Sequence, residues 1–361
     1  MMAEGKKIET LAGVFTMGVI AGTIVPAGLS AGLSAALLPL LALPFFFQRQ
    51  IIRLPEGKAV ALMLATFLML GLFCAGCASL PGPSLTTALE EYALHTADRL
   101  RAYLDTLPFP SEHTAPLLKA LLTGDRSGLG ADTIKIFRQS GASHLLALSG
   151  LHIGIIYLIF DKFTWLMGRS PAARNLRYLL IVGGAGFFTL MTGAGPSIVR
   201  AFLFIAINET LRLLGRPRQA VRVLCLALLI QLVLDPLSIS QVGFQLSYLA
   251  LSGIFFLYPV LERWYPAGSR FNPLRRIWQA AALSISCQLF TGPVAWYRFH
   301  SFPQHFLLTN LLAIPLTTGL MASAIGTAAL SAAGICPATL YSLTDRLCSL
   351  LIFVLETIAG L

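Results

Sequence analysis

Between Leu121 and Ile156 the chain reads LLTGDRSGLGADTIKIFRQSGASHLLALSGLHIGII, which sets Asp125, Arg126, Lys135, Arg138, His144, Ser149 and His152 beside or inside an apolar run. Four chemistries are open to such a set. His144 and His152 are metal-ligand types, but an i,i+8 spacing with no nearby carboxylate or cysteine is a poor ligand frame. Ser149 and His152 could face each other as nucleophile and base, yet Leu148-Ser149-Gly150 lacks the G-x-S-x-G elbow of a serine hydrolase. The GDRSGLG loop could offer amides and Arg126 to a phosphate, although the G-K-[ST] of a nucleotide loop is missing. The fourth possibility is a polar route through a membrane. An ionisable group at bilayer depth costs about 2.5–3.5 kcal/mol on insertion scales, so such residues face a polar interior or water.

The rest of the chain favours the fourth. Of its 361 residues 56% are hydrophobic and 12% charged, and the mean hydropathy is +0.76. Soluble domains carry about 25% charged residues. The composition therefore excludes an ordinary soluble enzyme and predicts an all-α fold: a polytopic transmembrane helical bundle of about 10–11 spans with broken or re-entrant helices. Candidate spans are 11–28, 32–47, 59–79, 143–160, 178–193, 197–214, 221–235, 240–259, 277–297, 305–333 and 338–359. The 305–333 run is long for one straight span, and Pro315 is the place to divide it. Six cysteines lie in or beside these spans and read as small apolar residues rather than a disulfide framework.

A net charge of +10 need not mean nucleic acid, because loop Lys and Arg also fix membrane orientation. With Lys6 and Lys7 on the cytoplasmic side, alternation places the basic loops 48–58, 161–177, 212–222 and 261–276 on that same side. The N-terminus is then cytoplasmic, the C-terminus external, and 80–142 external or partly re-entrant. Within 84–107, Leu85, Leu89, Tyr92, Leu100, Leu104 and Leu107 recur at helical spacing among charged residues. That pattern suits a helix on the outer membrane surface, or one packed on the protein's own core. The expected organisation is 1–80 as N-terminal membrane helices, 81–112 as an external amphipathic helix and linker, and 113–361 as the main transmembrane domain.

Polar stripes run along the later spans. Gln241, Gln245, Tyr248 and Ser252 fall within about 60° of helix circumference. Ser284, Gln288 and Thr291 share a face, as do Asn310 and Thr317, and as do Ser197, Arg200 and Asn208. His144, Ser149 and His152 span about 140° if the helix continues through Gly150. Each stripe alone could be interhelical hydrogen bonding, worth about 0.6 kcal/mol per bond. Five together point to a shared hydrated path lined by Asp125, Arg126, His144, Ser149, His152, Arg200, Asn208, Gln241, Gln245, Tyr248, Gln288 and Asn310.

These segments resemble a known family. L-T-G-D-R-S-G-L followed by F-R-Q-S-G-A-S-H-L-L-A-L-S-G-L-H-I-G is similar to the signature of ComEC-type DNA-internalisation channels of naturally competent bacteria. T-G-A-G-P-S-I-V-R-A-F (192–202), D-P-L-S-I-S-Q-V-G-F-Q-L-S-Y-L-A (235–250) and L-x-N-x-x-A-I-P ending at Pro315 follow the same pattern, in order. The resemblance implies an inner-membrane channel that passes one DNA strand to the cytoplasm without catalysis, cofactor or metal. Its partners would be single-stranded DNA, membrane lipid, and a separate nuclease, DNA receptor and cytoplasmic DNA-translocating ATPase. Full-length members resemble a membrane core with two outer soluble modules, an OB-like fold and a metallo-β-lactamase-like nuclease. About 30 residues between Leu80 and the signature leave no room for the first, and the six histidines form no H-x-H-x-D-H motif for the second. Two alternatives remain on the residues themselves: a permease for a small anionic solute using Arg200, and an intramembrane hydrolase built on Ser149 and His152.

Overall fold

The computed structural model describes residues 4–24, 56–78, 88–165, 167–168, 170–265, 272–300 and 304–361. The expected span 32–47 lies outside them. In chain order the helices are α1 (Glu4–Ile24), α2 (Glu56–Ala78), α3 (Ala88–Thr106), α4 (Thr114–Thr123), α5 (Ala131–Gln139), α6 (Ser143–Leu146) and α7 (Gly150–Trp165). They continue with α8 (Pro171–Met191), α9 (Pro196–Leu213), α10 (Ala220–Leu234), a 3-10 turn (Pro236–Ser240), α11 (Val242–Phe256) and α12 (Tyr258–Glu262). The last three are α13 (Pro273–Phe299), α14 (Phe306–Ala332) and α15 (Ala338–Ala359). No strand occurs among the described residues, so the fold is all-α. Among the described residues four helices are long and apolar enough to cross a membrane: Val60–Ala78, Val242–Glu262, Phe306–Ala332 and Ala338–Ala359. The protein is a membrane protein.

The chain divides into two compact units, residues 1–86 with 203–244, and residues 87–202 with 245–361. In the first, α1 packs along α2 and α10, with the 3-10 turn against all three. Glycine sets the α1–α2 distance. A Cβ on Gly18 would fall 2.2 Å from the Leu68 carbonyl oxygen, and one on Gly71 2.3 Å from that of Phe15. Small residues that let backbones touch replace the hydrophobic drive that is absent between helices in lipid.

In the second unit the α14–α15 hairpin is the spine. Leu320 and Met321 on α14 and Leu351 and Leu355 on α15 share one buried cluster with Leu104, Leu117, Leu121, Phe137 and Leu145. Segment 88–142 thus lies against apolar helices of its own chain. Of its two expected settings, α3 takes the second: Ala93, Ala97 and Leu104 are buried, Tyr92 meets Phe187 of α8 with ring centroids 6.2 Å apart, and Tyr103 Oη donates to the Ala328 carbonyl (3.2 Å). Elsewhere α7 and α8 pack together and are tied by the Arg177–Asp161 ion pair. A Cβ on Gly253 of α11 would fall 2.2 Å from the Ser286 carbonyl oxygen of α13, so only glycine permits that approach.

Two expectations about helix continuity are corrected. α14 runs unbroken from Phe306 to Ala332 through Pro315, rather than dividing there. Proline removes one backbone donor, but membrane helices tolerate this where neighbouring groups take the freed carbonyl. Conversely, 143–160 is not one helix. The chain leaves helix after Leu146, with Ala147 extended at φ −79°, ψ 125°, and resumes at Gly150. Unbroken apolarity hides the interruption, because three residues outside helical geometry do not alter hydropathy.

Candidate functional site

The break at 147–149 is built from both sides. α4 ends at Gly124, whose φ of +79° gives the left-handed turn that reverses the chain. A Cβ there would also lie 2.5 Å from Leu148 Cδ1. Asp125 Oδ1 then accepts the Ser127 amide (3.0 Å), and Arg101 Nε lies 3.7 Å from Asp125 Oδ2. The Ser127 amide and hydroxyl, with Arg101 and Lys119 behind them, hold the Asp125 carboxyl below its usual range. Arg126 donates through Nε (3.1 Å) and Nη2 (2.8 Å) to the Leu146 carbonyl, the acceptor that a continuing helix would have used. The GDR turn is therefore a clamp on the interrupted helix, and Arg126 is spent on it.

On the far side Ser149 and His152 start α7. The Ser149 amide donates to His152 Nδ1 (3.2 Å), while Ser149 Oγ lies 3.3 Å from the Leu151 amide and 3.1 Å from the same Nδ1. This is a capping box in which histidine stands where Glu or Gln is usual. Because Nδ1 accepts an amide proton, the neutral ring carries its own proton on Nε2. That Nε2 is enclosed and without a hydrogen-bond partner, in a residue with no exposed surface. His144, by contrast, is exposed and rests its Nδ1 on the Gly141 carbonyl (3.1 Å). No cluster of three His, Cys, Asp or Glu side chains suited to a metal occurs among the described residues.

Arg200, in the second turn of α9, is 9% exposed. Its Cζ sits 5.9 Å from the Tyr248 ring centroid, and its Nη2 is 3.5 Å from where a Cβ on Gly150 would stand. Among the described residues Arg200 forms no ion pair, and its Nε is enclosed without a hydrogen-bond partner. Asn310 Oδ1 and Thr317 Oγ1, on one face of α14, are enclosed and unpartnered too. Thus four polar atoms of this unit, on α7, α9 and α14, make no hydrogen bond among the described residues, and Arg177 Nε of α8 is enclosed in the same way. α7 is the link between them, packing on α14 and meeting Arg200 at its first residue.

Other expected residues lie elsewhere. Gln288 borders an open apolar groove with Ile285, Leu289, Pro293, Trp296 and Phe306. Gln245 and Tyr248 belong to the same unit as Arg200, whereas Asn208 and Gln241 belong to the first unit. There Asn208 Nδ2 donates to its own helix at the Phe204 carbonyl (2.9 Å), and Gln241 is exposed. Several stripe members likewise turn back on their own helix, as Ser252 does to Tyr248 and Thr291 to Cys287.

One polar centre escaped the sequence reading. Asp345 of α15, 8% exposed, accepts from the Ser111 amide (3.0 Å), Ser111 Oγ (2.9 Å) and Thr114 Oγ1 (2.6 Å), anchoring the turn between α3 and α4. A carboxylate inside an apolar span was its available signal.

Comparison with known proteins bears on residues 121–361, which match the family model described as "Competence protein". ComE operon protein 3 of Bacillus subtilis is 28% identical over 203 residues, covering 56% of this chain and 24% of that protein. Competence protein ComA of Neisseria gonorrhoeae is 31% identical over 207 residues, covering 55% of this chain and 28% of that one. The uncharacterized protein YcaI of Escherichia coli is 30% identical over 234 residues, 60% of this chain and 29% of its own length. The matched region thus spans about a quarter of each relative's length. No solved structure matches the chain.

Proposed function

Because the chain belongs to the competence-protein family, we propose that it forms the membrane channel through which a single DNA strand enters the cytoplasm during natural transformation. The observation that carries this reading is that, of six enclosed polar atoms without a hydrogen-bond partner among the described residues, four fall on α7, α9 and α14: His152 Nε2, Arg200 Nε, Asn310 Oδ1 and Thr317 Oγ1. Buried polar groups are almost always bonded, and water is the usual partner when protein is not. A hydrated path along α7, α9 and α14 satisfies all four. Its Asn and Thr groups would wet a strand without arresting it, while Arg200 supplies the positive charge that draws phosphates.

In this reading the protein lies in the inner membrane in ten or eleven spans, with its N-terminus cytoplasmic and its C-terminus external. Residues 1–80 are accessory membrane helices, 81–112 the connecting amphipathic helix, and 113–361 the channel. It works without catalysis, alongside a nuclease, a DNA receptor and a cytoplasmic translocating ATPase. A permease for a small anionic solute draws on the same unpaired Arg200 and is the second reading. Ser149 and His152 serve as a helix cap, which accounts for their 3.1 Å approach without a hydrolase.

Transformation frequency tests the proposal. Strains carrying Arg200→Ala or Asn310→Leu, with membrane levels of the protein matched by immunoblot, are expected to lose uptake of labelled DNA. Wild-type frequency in both strains overturns the channel reading. Retained uptake of DNA with lost accumulation of an anionic solute would instead favour the permease.

A further inference from the structure

We propose that Arg200 and the N-terminus of α7 form a binding site for one phosphodiester group of a nucleic-acid strand; this rests on the channel reading and names the contact that the strand makes. Two independent features meet here. The first is the start of a 16-residue helix. Ser149 Oγ reaches the Leu151 amide, and the His152 amide is bonded to the Ser149 carbonyl (3.1 Å), but the Gly150 amide takes no partner. A helix N-terminus with a free amide concentrates about half a positive charge on donors that suit an anion.

The second is the guanidinium aimed at it. Arg200 Nη2 lies 3.5 Å from the Cβ position of Gly150, and the absence of a side chain at residue 150 leaves the intervening space open. A nine-tenths buried arginine without a carboxylate is an unfavourable arrangement unless an anion joins it, because desolvation of the charge is otherwise uncompensated. Tyr248 sets its ring beside the guanidinium, which stabilises the cation without neutralising it. The Nε edge is enclosed, and among the described residues no hydrogen bond occupies the Nη groups, so Nη2 and the Gly150 amide are the donors left for an incoming oxygen. Arg126 is not a competitor for that oxygen, since both of its bonds go to Leu146.

The group recognised is therefore a singly charged phosphodiester, not a base. The test measures binding of a fluorescent 15-nucleotide oligo(dT) to the full chain in maltoside micelles, which contain no phosphate. Arg200→Gln is expected to weaken binding about tenfold to a hundredfold, the range of a charged hydrogen bond. It should also lower the slope of log affinity against log salt by about 1. Arg200→Lys, which keeps the charge, should recover part of the loss and shows that folding is intact. An oligo(dT) with an uncharged methylphosphonate backbone should bind equally to wild type and Arg200→Gln.

Equal affinity and salt slope in wild type and Arg200→Gln would overturn the site while leaving the channel standing. Wild-type binding of pyrophosphate but not of oligo(dT), abolished by Arg200→Gln, would overturn the nucleic-acid assignment and the channel with it. Displacement of the oligonucleotide by short-chain phosphatidylglycerol at equal phosphate concentration would assign the site to a lipid headgroup and likewise overturn the proposal.

Discussion

Two polar regions of the second unit stand in contrast. At the turn between α3 and α4 the charged groups that tie the elements together have protein partners: Asp345 accepts three hydrogen bonds, Lys119 pairs with Asp105 at 2.8 Å, and Arg101 bonds Asp98 and Thr123. Around α7, α9 and α14, His152 Nε2, Arg200 Nε, Asn310 Oδ1 and Thr317 Oγ1 have none among the described residues. Both regions place hydrophilic residues among apolar helices, and hydropathy does not distinguish them. What separates them is satisfaction. A satisfied group fixes structure, whereas an unsatisfied one is reserved for water or a ligand. The division makes mutational stability a direct probe, since removing a satisfied group leaves its partners unpaired and removing an unsatisfied one leaves nothing.

The largest effect is expected from Asp345→Ala. Three donors at Ser111 and Thr114 lose a charged acceptor, and the α3–α4 turn loses its tie to α15. Destabilisation of about 3 kcal/mol or more is expected in unfolding measured in detergent micelles. Asp345→Asn, which keeps one acceptor oxygen, should lose less. If both variants unfold like wild type, the turn is not held by Asp345 and the contrast between the regions collapses.

Next comes Gly253→Ala, a test of packing rather than of polarity. Its Cβ would stand 2.2 Å from a backbone oxygen of α13, which cannot rotate away as a side chain could. Forced separation of α11 from α13 is expected to cost about 1–3 kcal/mol. Because Tyr248 rides on α11, the shift should also perturb its ring beside Arg200, read as a change in tyrosine fluorescence in a background lacking tryptophan.

Ser149→Ala is smaller, about 1 kcal/mol for a lost helix cap. DNA uptake should survive, because the His152 side chain still receives the residue 149 amide. Uptake abolished at unchanged stability would restore the nucleophile reading of the Ser149–His152 pair.

The legibility of this architecture in the sequence follows the range of the forces involved. Helix positions are local matters of hydropathy and period, so 338–359 is α15 to the residue and 197–214 is α9 within one. The interruption at 147–149 is not local: it exists because Arg126, twenty positions earlier, takes the Leu146 carbonyl. Arg126 and Arg200 are the same residue type in the same resemblance, yet one is bonded and one is not, and only the fold decides which. Asp345 illustrates the reverse failure. Its environment was readable as an expensive carboxylate in an apolar span, but its partners lie more than 230 positions away.

The finest test of the contrast uses two threonines on the α14–α15 hairpin. Thr344 Oγ1 lies 2.9 Å from Thr327 Oγ1 across the helix pair, whereas Thr317 Oγ1 is enclosed with no partner. Both side chains are fully buried, so Thr→Val exchanges a hydroxyl for a methyl of similar shape at each. Thr344→Val removes an interhelical bond and should cost about 0.6 kcal/mol, the mean for such bonds in membrane proteins. Thr317→Val removes an unsatisfied group and should be neutral or slightly stabilising. Under the channel reading the signs reverse for function: Thr317→Val dries the path and lowers DNA uptake, while Thr344→Val leaves uptake unchanged. A stability loss at Thr317 equal to that at Thr344 would mean that its hydroxyl is already bonded within the protein, and the path along α14 would lose one of the atoms that define it.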